Sequence, residues 1–195
     1  IGAELCRQIV FLKPKALILF EINELALYSI DKELTNLNIN LFKIYPILGS
    51  VNNKERLKNM FEHFDVDTVY HAAAYKHVPM VEKNIVSAIK VNIFGTLSAI
   101  NASIESNVDS FVFISTDKAV RPTNIMGATK RFAELILQAI SNSEAINKGN
   151  LRISMVRFGN VLGSSGSVVP LFEQQIKNGG PVTVTDPNII RYFMT

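Results

Sequence analysis

Cysteine is almost missing from this sequence of 195 residues: there is one, Cys6. A single thiol makes neither an intrachain disulfide nor a multi-thiolate zinc site, which fits a reducing compartment and argues against a secreted, disulfide-stapled scaffold. Tryptophan is absent. An excess of one charge is absent as well: 20 Lys and Arg stand against 17 Asp and Glu, a net of +3. The densest basic stretch, Lys54-Glu55-Arg56-Leu57-Lys58, is interrupted. A nucleic-acid face wants a basic stripe interleaved with aromatics, so no nucleic-acid partner is expected. Unbroken apolar runs are short too. The longest, Ala16-Leu17-Ile18-Leu19-Phe20, falls well below the roughly 18 to 20 residues that span a bilayer and reads as a buried strand. The opening Ile1-Gly2-Ala3-Glu4 offers neither a basic region nor an initiating Met, so no signal peptide is expected there.

What is present is a globular composition, 48% hydrophobic and 19% charged, with 10 Gly and 7 Pro. That excludes wholesale disorder and fibrous repeats. Along the chain, helical and strand patterns alternate. Helices are expected over residues 4–11, 23–34, 53–64, 84–106, 124–141 and 168–178. Strands are expected over 15–20, 41–48, 68–71, 110–115 and 151–156. In the longest helix Ile85, Ile89, Ile93, Leu97, Ile100 and Ile104 recur at steps of three and four and form one apolar stripe. Ala128, Phe132, Leu135, Ile136 and Ala139 are expected to line the helix over 124–141. Near-continuous apolar strands alternating with helices imply a doubly wound parallel sheet, the Rossmann-like α/β class.

In such sheets ligands sit beyond the carboxyl ends of the strands. The residues there are Glu21, Gly49-Ser50, His71 with Ala72-Ala73-Ala74, Ser115-Thr116-Asp117-Lys118, and Arg157-Phe158-Gly159-Asn160. All are small or hydrogen-bonding, so one cleft built from them is expected. Gly2 opens a helix, which suits either a phosphate-binding turn or an ordinary helix start. Glu21 lies about 20 residues on, where a carboxylate accepts the ribose hydroxyls of a dinucleotide; as a bland alternative it is a solvated strand-end acid. A carboxylate there repels a 2′-phosphate and Ile22 supplies no arginine to receive one, which favours NAD over NADP. The three alanines permit close approach of a flat cofactor, or are simple packing.

The richest stretch is Ser115-Thr116-Asp117-Lys118 followed by Met126 and Lys130, four apart and therefore on one helix face. A hydroxyl, an acid and an amine stand consecutively at a strand end. His63, His71 and His77 fall on different elements without metal-ligand spacing, so no metal is expected. Gly163-Ser164-Ser165-Gly166 lacks the spacing of a nucleophile elbow.

Three blocks carry a resemblance: His71 to Glu82, Ser115 to Lys130, and Arg157 to Pro170. They resemble the extended short-chain dehydrogenase/reductases and, within them, the bacterial polysaccharide-biosynthesis dehydratases that act at C4 and C6 of UDP-N-acetylglucosamine. The family's tyrosine is replaced by Met126, a feature of its large, membrane-anchored branch. A thioether cannot carry a proton, so Met126 cannot serve as the base at the sugar O4. The resemblance implies that C4 is oxidised by hydride transfer, water is eliminated across C5 and C6, and the hydride returns to C6. It assigns Lys118 as the base at C5, Asp117 as the acid at the C6 hydroxyl, Thr116 as the donor to the C4 oxygen, and Lys130 to the nicotinamide ribose. For these roles Asp117 should start protonated, and Lys118 should be neutral, its pKa lowered by burial and by Lys130. The O4 base stays open between Asp117 through a relay and water.

The resemblance further implies cofactor contacts from Gly2, Glu21, Ser50, Val51, Ala72, Ala73, Ala74 and Asn92. It implies substrate contacts from Lys76, His77, Asn160, Gly163, Ser164, Ser165 and Arg191, the last being equally suited to a salt bridge. It implies a UDP-sugar partner and a homo-oligomer, with a cytoplasmic catalytic region in a parent protein anchored to the inner membrane. A nucleotide-sugar 4-epimerase and a non-catalytic cofactor-binding module are the rivals; the first needs no Asp-Lys pair and the second has no use for one. Residues 1–157 are expected to form an NAD-binding core lacking its first strand, and 158–195 the start of a sugar-binding region.

Overall fold

A computed structural model describes residues 1–37, 42–143, 150–163, 168–184, 186–188, 190 and 192–194. They fall into two compact units, Ile1–Val156 and Arg157–Thr195. In the first unit the order is α1 (Gly2–Phe11), β1 (Ala16–Glu21), α2 (Glu24–Asn36), β2 (Lys43–Leu48), α3 (Lys54–Phe64), β3 (Thr68–His71), α4 (Val78–Lys83), α5 (Ile85–Glu105), β4 (Ser110–Thr116), α6 (Ile125–Ser141) and β5, which runs Arg152–Phe158 across the boundary. The second unit holds β6 (Asn160–Val161), α7 (Val168–Lys177) and β7 (Phe193–Met194).

Local chemistry sets these boundaries. Asn23, Asn53 and Asn124 each cap the helix that follows, their side chains accepting from the amides of Ala26, Arg56 and Gly127; such caps are worth about 1 kcal/mol each. Glu82 reinforces the third by accepting from the Ile125 amide at 2.8 Å. Helix α4, absent from the expected elements, is six residues long with a proline in its first turn, too short for a hydrophobic period to register.

The strands pair in parallel. β1 lies beside β2, with Glu21 opposite Leu48, and β3 lies beside β4, with His71 opposite Phe113. The order in the larger group is β3-β4-β5. Phe111 and Phe113 of β4, Ile100 of α5 and Leu137 of α6 are wholly buried in the main core with Leu57 and Phe61 of α3. Each contributes about 1.5–3 kcal/mol by burial. Val10, Leu19, Leu27 and Leu34 tie α1 and α2 to β1 in a second cluster.

Two helix faces correct the sequence reading. The buried residues of α6 are Met126, Gly127, Thr129, Lys130, Ala133, Glu134 and Leu137, whereas Phe132 and Leu135, expected to face the core, are 55% and 46% exposed. In α5 the inward positions are Ala88, Asn92, Gly95, Thr96, Ala99, Ile100, Ala102 and Ser103; Ile85 of the expected stripe is exposed. The cause in α5 is a π turn over Lys90–Phe94, which shifts the phase, and small residues that let the helices pack closely. At 21 residues α5 is also long and apolar enough to cross a bilayer, a property that counting unbroken apolar runs does not reveal.

Candidate active site

The candidate site is built where β4 runs out and α6 begins. Thr116 ends the strand and caps a short 3-10 turn, Asp117–Ala119. Its hydroxyl donates to Asp117 Oδ1 at 3.0 Å, and Lys118 Nζ donates to the same oxygen at 3.0 Å. The Asp117 and Lys118 side chains are 46% and 36% exposed. Partial burial pulls the Asp117 pKa upward, but the hydrogen bonds from Lys118 and Thr116 and the charge of Lys118 outweigh it and hold the carboxyl below its usual range. The expectation of a protonated Asp117 is therefore corrected: at neutral pH it is a carboxylate, because its neighbours stabilise the charged form.

The amine that burial does perturb is Lys130. It is nearly inaccessible, and desolvation, partly countered by Glu134, lowers its pKa to about 7. Its Nζ lies 3.9 Å from the centre of the Phe113 ring, a cation–π arrangement. Met126, one turn earlier, packs with Val81, Ala88, Val78 and Ile125, so its thioether is part of a small apolar cluster. Gly127 makes this junction possible. A Cβ there would stand 2.3 Å from the Lys118 carbonyl oxygen, so the helix start rests directly on the turn that carries Lys118.

Asn92 is fully buried at the π turn. It accepts from the Tyr75 amide at 2.8 Å and donates to the Tyr75 carbonyl at 3.1 Å and to Thr129 Oγ1 at 3.0 Å. Both amide hydrogens are thus committed to protein. Asn92 joins the loop after β3 to α6 and holds it; π turns of this kind recur at functional sites. Behind it, Thr96 donates to the Asn92 carbonyl, so His71 Nε2 donates to Thr96 Oγ1 at 3.0 Å. Burial, with Lys130 adding to it, pushes His71 down to about 3, and the ring stacks on Phe113 at 5.9 Å. It is a neutral structural histidine.

The residues expected to meet a cofactor come together in pieces. A Cβ on Gly2 would reach Ala72 Cβ at 4.0 Å, so the start of α1 and the end of β3 approach through small residues. Glu21 closes β1 and accepts from the amides of Ile22 and Asn23, both at 2.9 Å. The Gly49 amide donates to the Glu21 carbonyl at 2.9 Å. Beyond it the Ser50 hydroxyl accepts from the Asn52 amide, and Val51 packs on Gly95 of α5. Ala73 and Ala74 continue the loop from β3, Lys76 is exposed beyond them, and His77 precedes α4 without capping it through its side chain. Asn160 and Gly163 belong to the second unit, where Asn160 donates to the Tyr192 carbonyl at 3.3 Å. Ser164, Ser165 and Arg191 lie outside the described residues.

Sequence reasoning missed Glu134. It is buried, accepts from Ser115 Oγ at 2.6 Å and from Arg131 Nη1 at 2.9 Å. The available signal was a carboxylate four residues after Lys130, on the same helix face.

Comparison with known proteins agrees with this architecture. The chain is 48% identical over 197 residues to the capsular polysaccharide biosynthesis protein CapD of Staphylococcus aureus, covering all of this chain and 32% of that protein. It is 39% identical to a UDP-N-acetylglucosamine 4,6-dehydratase (inverting) of Campylobacter jejuni, over 94% of this chain and 52% of the relative. The solved structure of Pen from Bacillus thuringiensis superposes with a TM-score of 0.90 at 36% identity, covering 99% of this chain and 60% of that one. The chain thus spans between about a third and three fifths of the length of these proteins. The family model described as polysaccharide biosynthesis protein matches residues 1–195, and with that end-to-end match the chain belongs to the polysaccharide biosynthesis protein family.

Proposed function

We propose that the protein containing this chain is an NAD-dependent nucleotide-sugar 4,6-dehydratase that converts UDP-N-acetylglucosamine to a 4-keto-6-deoxy sugar nucleotide for surface polysaccharide. The observation that carries the reading is the Thr116–Asp117–Lys118 cluster, hydrogen-bonded around one carboxylate oxygen at a strand end. The residues present fit a dinucleotide. Gly2 and Ala72 leave backbone room, Glu21 presents a carboxylate at the end of β1 that suits ribose hydroxyls and repels a 2′-phosphate, and Lys130 holds an amine over the Phe113 ring of β4. When bound, NAD supplies the hydride acceptor for C4 and the hydride donor for C6.

The chain's own groups close the proton balance. Thr116 accepts the C4 hydroxyl proton as it passes its own to Asp117, along a hydrogen bond that already points that way. Asp117, now protonated, delivers that proton to the C6 hydroxyl, which leaves as water. Lys118 removes the C5 proton, made acidic by the adjacent ketone, and returns one to C5 as C6 is reduced. The base at C5 is the neutral amine of Lys118. Each group ends as it began, with Met126 having no proton to handle.

The exposed apolar side chains of Phe94, Phe132 and Leu135 on the neighbouring helices α5 and α6 support a homo-oligomer. The lone cysteine supports a cytoplasmic catalytic region, with the parent protein held at the bacterial inner membrane. The test of the function is product mass after incubating the whole enzyme with UDP-N-acetylglucosamine and NAD. Loss of one water is expected; unchanged mass with altered sugar stereochemistry would identify an epimerase and overturn the dehydratase reading, as would no turnover with cofactor bound.

A further inference from the structure

The site has two halves in sequence, Thr116–Lys118 on the strand end and Lys130 on the helix, and nothing in the proposed chemistry explains what fixes one against the other. A buried carboxylate bridges them. Glu134 is 2% exposed, and its two oxygens are divided: Oε1 accepts from Ser115 Oγ at 2.6 Å, and Oε2 from Arg131 Nη1 at 2.9 Å. Ser115 immediately precedes Thr116 on β4, while Arg131 and Glu134 share α6 with Lys130. Burying a carboxylate this completely costs several kcal/mol unless its lone pairs are satisfied and its charge is met. Here a hydroxyl, a guanidinium and the Lys130 amine one turn away meet it.

We propose that Glu134 is a positioning residue that clamps the strand end bearing Thr116 to Lys118 onto the helix bearing Lys130, and whose charge, shared with Arg131, sets the charge that Lys130 presents to the cofactor. The proposal rests on the functional reading only for what Lys130 touches. The groups around Lys130 are few: Glu134 from its own helix, with Arg131 beyond it, and from the strands the ring of Phe113 and the neutral His71. Glu134 is the sole carboxylate acting on it among the described residues. Removing that charge therefore makes Lys130 easier to deprotonate.

The experiment titrates Lys130 directly in the whole protein, by NMR of ¹³C-labelled lysine, with its resonance assigned through its absence in Lys130→Met. Glu134→Gln keeps an oxygen for Ser115 and removes the charge; its Lys130 midpoint is expected to fall by about one unit or more. The NAD dissociation constant should then weaken at a pH where the wild type still binds, with the two pH profiles offset by the same amount. Arg131→Ala, which alters only a half-exposed side chain and takes one partner from the Glu134 carboxylate, is expected to move the midpoint as well, so a poorly folded Glu134→Gln does not remove the test. An unmoved Lys130 midpoint in the folded variants, even with activity lost, would reduce Glu134 to a packing residue and overturn the proposal. Because the titration requires no turnover, it stands or falls separately from the dehydratase assay.

Discussion

Gly127→Ala sets two magnitudes against each other. On helix propensity the change helps, by about 1 kcal/mol, since alanine loses less conformational freedom than glycine. Sterics oppose it. The new Cβ would meet the Lys118 carbonyl oxygen at 2.3 Å, the Lys118 carbonyl carbon at 3.1 Å and Pro122 Cβ at 3.3 Å, where ordinary contact begins at 3.4 Å. Two of these are backbone atoms, so the Asp117–Ala119 turn or the start of α6 must retreat by about 1 Å. Overpacking of that kind costs about 1–3 kcal/mol, leaving a net loss of about 0–2 kcal/mol. In a unit of this size that is a fall in Tm of about 0–8 °C. Activity should suffer far more, by about 10²-fold, because the displaced atoms include the backbone of Lys118. Thermal unfolding by circular dichroism and turnover of UDP-N-acetylglucosamine read the two effects separately. Gly95→Ala is the control, since its main clash is with the Val51 side chain at 2.8 Å, which can rotate away. A Gly127→Ala enzyme with wild-type turnover would refute the reasoning, as would a large Tm loss with turnover intact.

Four other outcomes are expected. Lys118→Ala should abolish exchange of the C5 proton with deuterated solvent while leaving NAD binding unchanged; persistent exchange sinks its role as the base. Asn92→Leu takes the partner from the Tyr75 amide and the Tyr75 carbonyl, at about 1–3 kcal/mol for each group left unpaired, while the Thr129 hydroxyl keeps its bond to the Met126 carbonyl; Tm should fall accordingly. Lys130 has a folded pKa of about 7 against 10.5 for the free side chain, so between those values the unfolded chain binds more protons and stability rises with pH. Lys130→Met should remove that rise and raise Tm at pH 7; a Tm that climbs as steeply with pH as in the wild type would contradict the buried, poised amine. Phe132→Glu should shift the sedimentation of the whole protein toward monomer without lowering Tm, and unchanged sedimentation would remove α6 from the interface.

The parts of the fold set by local signals were legible in the sequence. Helix α3 follows from Asn53 and the Leu57, Met60, Phe61 face, and β4 from its unbroken apolar run. Periodicity located α5 and α6 as well but not which side faces inward, because α6 buries Thr129, Lys130 and Glu134 and turns Phe132 and Leu135 outward. A buried polar residue is tolerated where its partners are, and those partners lie on other elements. Ser115, which meets Glu134, is 19 residues away in the chain. The site behaved likewise. The Thr116–Asp117–Lys118 order could be read directly, but the state of Asp117 could not, since it depends on both neighbours converging on one oxygen. The role of Asn92 as a strut likewise needed the loop at Tyr75 to be in place.

The π turn over Lys90–Phe94 makes α5 unusually sensitive to length. Each residue of a helix advances the chain by about 100° of rotation. The π turn has already taken up one surplus residue, so deleting a further residue from the regular turn ahead of it, Ile85–Ile89, swings everything after it by that angle. Thr96 would leave His71, and Gly95 would bring a different side chain against Val51. The surplus residue works as a rotational offset between two halves of one rod: the first carries Ala88 toward Met126, and the second carries Ile100 into the main core. Substitutions along α5 alter one contact each, whereas a single-residue deletion there re-aims half the helix.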